Sequence, residues 1–223
     1  MNIVITGASR GIGAEFVRRY LDIGATVHAV SRNTDRLAPV ARENKNLKLH
    51  AIDLESERGP AELAKALGGA TIDLLINNAG IYLDHDSDFS HLSPEKIRKS
   101  FEVNTLLPMR ATAALLPQLI AAKGTVANIS SLMGSVSDNS SGGAYAYRMS
   151  KAALNMFTKS FSVDYPKLKT VALHPGWVKT DMGGENATTT VEESVKGLMK
   201  IIAELKATKS GHFYDFEGDE LHW

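Results

Sequence analysis

Tyr147 and Lys151 stand four residues apart in Tyr147-Arg148-Met149-Ser150-Lys151, a spacing that puts both side chains on one face of a helix. An ammonium beside a phenol favours the phenolate and draws its pKa down from about 10. Such a tyrosine can give a proton to a carbonyl oxygen as hydride arrives, or take one from an alcohol in reverse. Ser131, at the end of a predicted strand, would hydrogen-bond the same oxygen and stabilise its growing charge. The spacing alone is cheap. Tyr165 and Lys169 repeat it, but Pro166 and a predicted strand from Thr170 put them at a helix end. Tyr145 is a rival tyrosine whose fourth residue onward is Met149. Only Tyr147 has its lysine inside a helical pattern, one that continues through Ala152, Ala153, Leu154 and Phe157.

Asn104 lies in a long helical region spanning 94–122. Judged alone it is an indifferent polar helix residue. Pro108, four residues on, has no N–H, so the Asn104 carbonyl loses its helical donor. The freed carbonyl can hold a water that relays protons to Lys151; in the alternative reading Pro108 merely bends the helix over the sheet.

Hydride chemistry needs a cofactor, and the first predicted strand runs straight into Thr6-Gly7-Ala8-Ser9-Arg10-Gly11-Ile12-Gly13, followed by the helical pattern of Phe16, Val17, Tyr20 and Leu21. Glycines here let the backbone turn sharply and approach a pyrophosphate, with the free N–H groups of the helix start facing the anion. A glycine-rich turn is weak on its own; the strand before it and the helix after it supply the context a dinucleotide motif demands. Gly7, Ser9, Arg10, Gly11, Ile12 and Gly13 are the candidate contacts. About 20 residues further on, NAD-selective folds carry an acid for the ribose hydroxyls. This chain has Ser31-Arg32-Asn33 there and no carboxylate. Arg10 is a second cation within reach, and two guanidiniums without an acid favour a 2′-phosphate, hence NADP(H) over NAD(H). The alternative is that both arginines are solvated surface charges.

Asp53-Leu54 ends the third predicted strand, where the carboxylate can accept from the adenine amino group or, in the plainer reading, cap a helix over 56–66. Asn77-Asn78-Ala79-Gly80 ends the fourth. Its small and amide residues suit a cofactor lying across the strand ends, although such residues also form plain turns.

The elements that must position these residues are short apolar runs alternating with helical stretches. Strands are expected at 3–6, 26–31, 48–52, 74–77, 125–130, 170–174 and 212–215, with helices starting near Ile12, Thr34, Pro60, Pro94, Tyr145 and Val191. Unbroken apolar strands such as 72–76 indicate burial on both faces. With right-handed crossovers this gives an α/β, doubly wound parallel sheet. No linker divides the chain, so 1–223 reads as one domain. The 25 basic and 25 acidic residues cancel, which gives no reason to invoke nucleic acid or an acidic membrane surface. The absence of cysteine excludes disulfides, thiolate metal sites and cysteine nucleophiles, and suits a cytoplasmic protein. The N-terminal Met1-Asn2-Ile3-Val4-Ile5 lacks a basic, long-apolar leader, and no apolar stretch approaches the ~20 residues of a membrane span. Three glycosylation sequons, at Asn128, Asn139 and Asn186, therefore read as chance.

Taken together, Thr6-Gly7-x-x-x-Gly11-x-Gly13, Asp53, Asn77-Asn78-Ala79-Gly80, Asn104, Ser131, Tyr147-x-x-x-Lys151 and Pro175-Gly176 resemble the short-chain dehydrogenase/reductase family across essentially the whole chain. The segments around Ser131, Tyr147 and His174-Pro175-Gly176-Trp177 are most similar to the C-factor and Sniffer-type carbonyl reductases. The resemblance implies a single-domain Rossmann-type fold and a catalytic tetrad of Asn104, Ser131, Tyr147 and Lys151, with Lys151 also holding the nicotinamide ribose. It implies that Pro175, Gly176, Val178 and Thr180 contact the nicotinamide carboxamide, and that Arg10 with Arg32 is the NADP-preferring pattern. A homodimer or homotetramer through the helices carrying Asn104 and Tyr147 follows from the same resemblance. Two departures stand out. Ser131 and Tyr147 lie further apart than in many members, so 134–143 is expected to protrude as a pocket-lining loop. The stretch after Thr180 is short, which implies a small lid and an open site.

Met133, Tyr145, Trp177 and Met182 flank the catalytic positions and are expected to line the substrate pocket, with core packing as the alternative for each. Asp84-x-Asp86-x-Asp88 with Glu95 has a calcium-loop outline, but Phe89 stands where the turn requires glycine, so no metal is expected. His85 and His91 read as solvated surface. The segment 213–223 mixes aromatics with acids and either closes a pocket or packs on a partner chain. The function expected is NADPH-dependent reduction of small to medium aldehydes or ketones; a dinucleotide-binding signalling or sensor protein is the second reading.

Overall fold

Seven parallel strands form one sheet in a computed structural model that describes residues 1–85 and 89–223. The strands are β1 (Asn2–Thr6), β2 (Thr26–Ser31), β3 (Leu47–Ala51), β4 (Leu74–Asn77), β5 (Thr125–Ile129), β6 (Lys169–His174) and β7 (His212–Asp215). Their spatial order is β3-β2-β1-β4-β5-β6-β7, and every pairing is parallel. The helices are α1 (Gly11–Asp22), α2 (Ala38–Glu43), α3 (Gly59–Ala66), α4 (Pro94–Phe101), α5 (Leu107–Ala114), α6 (Leu116–Ala122), α7 (Tyr145–Asp164) and α8 (Val191–Glu204). The expected strand bounds hold to within a residue.

Alternate side chains of each strand feed two cores, as the two-residue repeat requires. Ile3 and Ile5 join Phe16, Val17 and Tyr20 of α1 and Val195, Leu198 and Ile202 of α8. Val4 on the opposite face joins Leu63, Leu107, Leu115, Leu119 and Phe161. Burial on both faces is why the strand sequences run apolar without alternation. Between β4 and the helices above it, polar side chains pair with one another. Asn77 Nδ2 donates to Asn128 Oδ1 (2.8 Å) and Thr112 Oγ1 (3.2 Å), and Asn128 Nδ2 donates to Thr158 Oγ1 (2.8 Å).

The helical region 94–122 is interrupted rather than uniform. After α4 the backbone widens into a π turn over Glu102–Leu106, where the Leu107 N–H reaches back to the Glu102 carbonyl. A proline stands in the first turn of both α5 and α6, and the axis bends by 62° between α5 and α6. Pro108 and Pro117 cannot donate to a preceding turn, so the helix restarts at each instead of running through. The region 34–43 likewise splits into a 3-10 turn, Asp35–Leu37, and the short α2. Among the described residues no single helix is long and apolar enough to cross a membrane.

β1 and β4 are neighbours although the chain leaves β1 for β2. Such a reversal of strand order opens a crevice beyond the carboxyl ends of the strands. The loops that follow β1, β2, β4, β5 and β6 all reach that edge, and with them nearly every residue singled out above.

Candidate active site

The crevice is a cleft of about 750 Å³. Of the residues expected to meet a dinucleotide, Gly7, Ser9, Arg10, Gly11, Ile12, Ser31, Arg32, Asp53, Leu54, Asn78, Ala79, Gly80, Tyr147, Lys151, Pro175 and Thr180 line it. Gly13, Gly176 and Val178 do not. Their places are structural. A Cβ on Gly13 would lie 2.2 Å from the Gly7 carbonyl and 2.7 Å from Asn78 Nδ2, so this glycine lets α1 seat against the strand ends. Gly176 (φ +83°) has the Phe216 ring 2.8 Å from where its Cβ would be, and Val178 is buried, bridging to Thr189. Asn33, Arg36, Glu55, Ile81 and Val103 also line the cleft and were not foreseen.

A dinucleotide fits the residues present. The cleft passes the glycine turn, and Ser31 Oγ is buried there with no hydrogen-bond partner among the described residues. Asp53 Oδ1 accepts from the Glu55 N–H (3.0 Å), while Ser56 Oγ, not Asp53, accepts from the Gly59 N–H (3.0 Å) that opens α3. The capping alternative therefore belongs to Ser56. Arg10 and Arg32, both largely exposed, each hold an acid from elsewhere in the chain: Arg10 pairs with Asp181 (2.5 Å) and Arg32 with Glu55 (3.5 Å).

The four residues expected to act together do meet. Tyr147 and Lys151 are buried on the inner face of α7, beside Ser131 and Asn104. Lys151 Nζ donates to the Ile129 carbonyl (2.8 Å) and lies 5.7 Å from the centre of the Tyr147 ring. Burial pushes the Tyr147 phenol up to about 12, against a hydrogen bond with Ser131 that draws it down; Tyr82 adds to the rise. Burial pushes Lys151 down to about 8. The direction is thus opposite to the lowered phenol expected from the lysine alone, because burial penalises the charged form of each group. Asn104 braces the site through its side chain: Oδ1 accepts from the Ile81 N–H (2.8 Å), and Nδ2 donates to the Ile81 carbonyl (2.9 Å) and Ser150 Oγ (3.0 Å). Its backbone lies in the π turn.

Residues 1–191 match the family model described as short chain dehydrogenase. The chain belongs to this family. It is 46% identical to the C-signal of Myxococcus xanthus over 159 residues, 68% of this chain and 93% of that one. Its fold superposes with a TM-score of 0.92 on the NADPH-bound carbonyl reductase from chicken fatty liver, at 34% identity, covering 100% of this chain and 98% of that one. The carbonyl reductase Sniffer of Drosophila melanogaster gives the same TM-score at 32% identity, with 100% and 99% covered. The likeness to C-factor and Sniffer-type proteins read from the sequence is borne out, and the chain is an oxidoreductase of the short-chain type.

Within this family frame the chain carries parts that the motifs did not reveal. Asp84, read above only as one corner of an acidic run, is buried at the start of α7. Its carboxylate accepts from the N–H groups of Ala146 (2.7 Å) and Tyr147 (3.3 Å), satisfying two of the donors that a helix start leaves open. The other corners of that run, Asp86 and Asp88, lie outside the described residues. Tyr82 stacks on the Tyr147 ring at 4.4 Å between centres, and His85, expected to be plain surface, stacks on Tyr82 at 3.7 Å.

The substrate-pocket residues divide. Met182 lines the cleft. Met133 and Tyr145 line a separate cavity of about 510 Å³, to which 141–143 of the extra loop also contribute. Trp177 lines neither; it is 53% exposed and donates from Nε1 to the Gly183 carbonyl (2.7 Å). The C-terminal segment packs within the chain: the Trp223 ring stacks on Phe213, and its carbonyl accepts from the N–H and hydroxyl of Ser137 in the 134–143 loop.

Asp84 sets where Tyr147 begins its helix, so its loss should be felt as misplacement. Asp84→Ala is expected to lower kcat about tenfold or more, since displacements of an ångström at a reacting group cost up to about a hundredfold. Cofactor affinity, measured by fluorescence titration, should stay within about twofold, and Asp84→Asn, which keeps an acceptor oxygen, should lose less. Equal kcat in wild type and Asp84→Ala would show that the contact positions nothing.

Proposed function

We propose that this chain reduces the carbonyl of small to medium aldehydes and ketones, or oxidises the corresponding alcohol, with NADP(H) and with Tyr147 as the general acid or base. The observation that carries the reading is a buried phenol beside Lys151, with Ser131 at the neighbouring strand end, in the cleft beyond the glycine turn. The NADPH and carbonyl-reductase descriptions of the similar structures point the same way.

Bound in the cleft, the nicotinamide supplies the hydride. Tyr147, held protonated by burial, gives its proton to the carbonyl oxygen as negative charge develops there. Ser131 hydrogen-bonds that oxygen and disperses the charge. Lys151, as an ammonium, favours transient loss of the phenol proton and holds the ribose. Pro175 and Thr180, which line the cleft, would hold the carboxamide, and the Asn104 carbonyl in its π turn would hold a water that returns a proton towards Lys151. Arg10 and Arg32 leave Asp181 and Glu55 to meet the 2′-phosphate; exposed ion pairs of this kind are weak and are readily exchanged for a phosphate. Met149, Met156 and Val163 are exposed along α7 and support pairing with a second copy.

The name C-signal on a 46% identical relative favours one further reading, a dinucleotide-bound signalling protein. NADPH consumption with a panel of aldehydes, quinones and diketones separates the two. Turnover is expected, and Tyr147→Phe should lower it by about 10²–10⁴-fold while leaving cofactor affinity nearly intact. Tight NADPH binding with no turnover on any member of the panel would favour signalling.

The cation at Lys151 also predicts a pH limb. Its pKa is pushed down to about 8, so the ammonium is present below that pH and lost above it. The reduction rate should be level near neutrality and fall as pH rises through about 8; a rate that rises there instead would remove the ammonium from the mechanism. For cofactor choice, kcat/KM should favour NADPH over NADH, and Arg32→Ala should erode the preference by about tenfold, the worth of one charge-assisted contact. A wild-type preference for NADH would overturn the assignment of both arginines.

A further inference from the structure

The cleft that holds Tyr147 and the 510 Å³ cavity beside it have no lining residue in common. Ile81 and Tyr147 line the cleft, while Tyr82, the residue after Ile81, lines the cavity. Its ring lies on the Tyr147 ring with 4.4 Å between centres and 22° between planes. The backbone on both sides of Tyr82 is pinned. Ile81 makes two hydrogen bonds to the Asn104 side chain, and Asp84 holds the first N–H groups of α7. A ring fixed at both ends of its segment is a wall, movable only by side-chain rotation.

The far side of that wall is aromatic. His85, Phe89, Tyr145 and Met133 line the cavity, with the Arg148 side chain held to the Gly142 carbonyl and Ser141 Oγ at its edge. Such a surface suits a flat aryl group, by stacking and by contact with a guanidinium.

We propose that Tyr82 is the specificity-determining residue of this enzyme, a partition between the hydride-transfer cleft and an aryl-binding cavity. With the ring in place the carbonyl substituent on that side must be small. With the ring removed the two spaces join, and a substrate carrying a second aryl ring is admitted. The inference rests on the carbonyl-reductase reading for its kinetic form, although the partition itself is a statement about shape.

The experiment compares butanal with benzophenone on wild type, Tyr82→Ala and Tyr82→Phe, reading kcat/KM with NADPH. Calorimetric titration of diphenylmethanol into the holoenzyme reads access to the cavity without turnover. Tyr82→Ala should raise the benzophenone-to-butanal ratio by about tenfold or more, within the range that pocket volume can supply. It should tighten diphenylmethanol binding in parallel, and Tyr82→Phe should keep the wild-type ratio. An unchanged ratio and unchanged binding in Tyr82→Ala would overturn the partition. So would an equal change in Tyr82→Phe, which would assign the effect to the hydroxyl. If Tyr82→Ala does not fold, Tyr82→Leu, which shortens the ring but keeps an apolar contact on Tyr147, replaces it under the same criteria. A wild type silent on every carbonyl compound would sink the carbonyl reading, and the titration alone would then decide on Tyr82.

Discussion

Four hydrogen bonds between the ends of β1 and β4 hold the floor on which the rest of the site is built. Thr6 Oγ1 accepts from the N–H groups of Asn78 and Ala79, and Asn78 Nδ2 donates to the carbonyls of Thr6 and Gly7. Two adjacent parallel strands end here without a connecting turn, so their last polar groups would otherwise be open. Closing them with a buried threonine and an amide draws the two backbones into contact. That contact leaves no room for side chains: a Cβ on Gly7 (φ +64°) would be 2.8 Å from Ala79 Cα. The glycines are thus required first by the strand junction. Their openness to a phosphate is a consequence of the same geometry.

From this junction the chain is pinned stepwise towards the reacting groups. Asn104 holds Ile81 and, through Ser150, touches the helix that carries Tyr147; Thr105 Oγ1 donates to the Ser150 carbonyl. Asp84 then fixes the first turn of α7. The π turn has a place in this sequence. It widens the backbone where Asn104 must aim its amide at Ile81, and a regular helix would be interrupted there in any case by Pro108. Tyr147, buried in this way, owes its position to contacts from three separate segments.

Much of this was legible in the sequence, for a physical reason. A strand buried on both faces is written as a continuous apolar run, so 74–77 and 125–130 announced themselves, and Tyr147 to Lys151 is a local spacing that helical geometry alone converts into proximity. What was not legible depends on partners far along the chain. Asp84 and Ala146 are 62 residues apart, Arg10 and Asp181 are 171 apart, and nothing local marks either pair. The helical region over 94–122 was legible, with a bend at Pro108 as one of two readings; the π turn and the break at Leu115 were not. Gly13 and Gly176 stand where the backbone packs too closely for a side chain, and close packing and phosphate approach leave the same mark in a sequence. Met133 and Tyr145 line a cavity separate from the cleft, and that separation, with Tyr82 on the cavity side, could not be read from spacing.

Burial also decides the direction in which the proposed proton transfer starts. Tyr147 and Lys151 are pushed towards their neutral forms from opposite sides, the phenol up and the ammonium down. With the phenol pushed up to about 12 by burial, Tyr147 keeps its proton at neutral pH, while Lys151, pushed down to about 8, stays mostly charged. A protonated tyrosine beside an ammonium is the resting state suited to a carbonyl substrate, whose oxygen has no charge until hydride arrives. Alcohol oxidation would need the phenolate first, and it becomes accessible only if a further cation or donor reaches the hydroxyl. The same desolvation that makes the pair hard to ionise makes any charge appearing between them strongly felt.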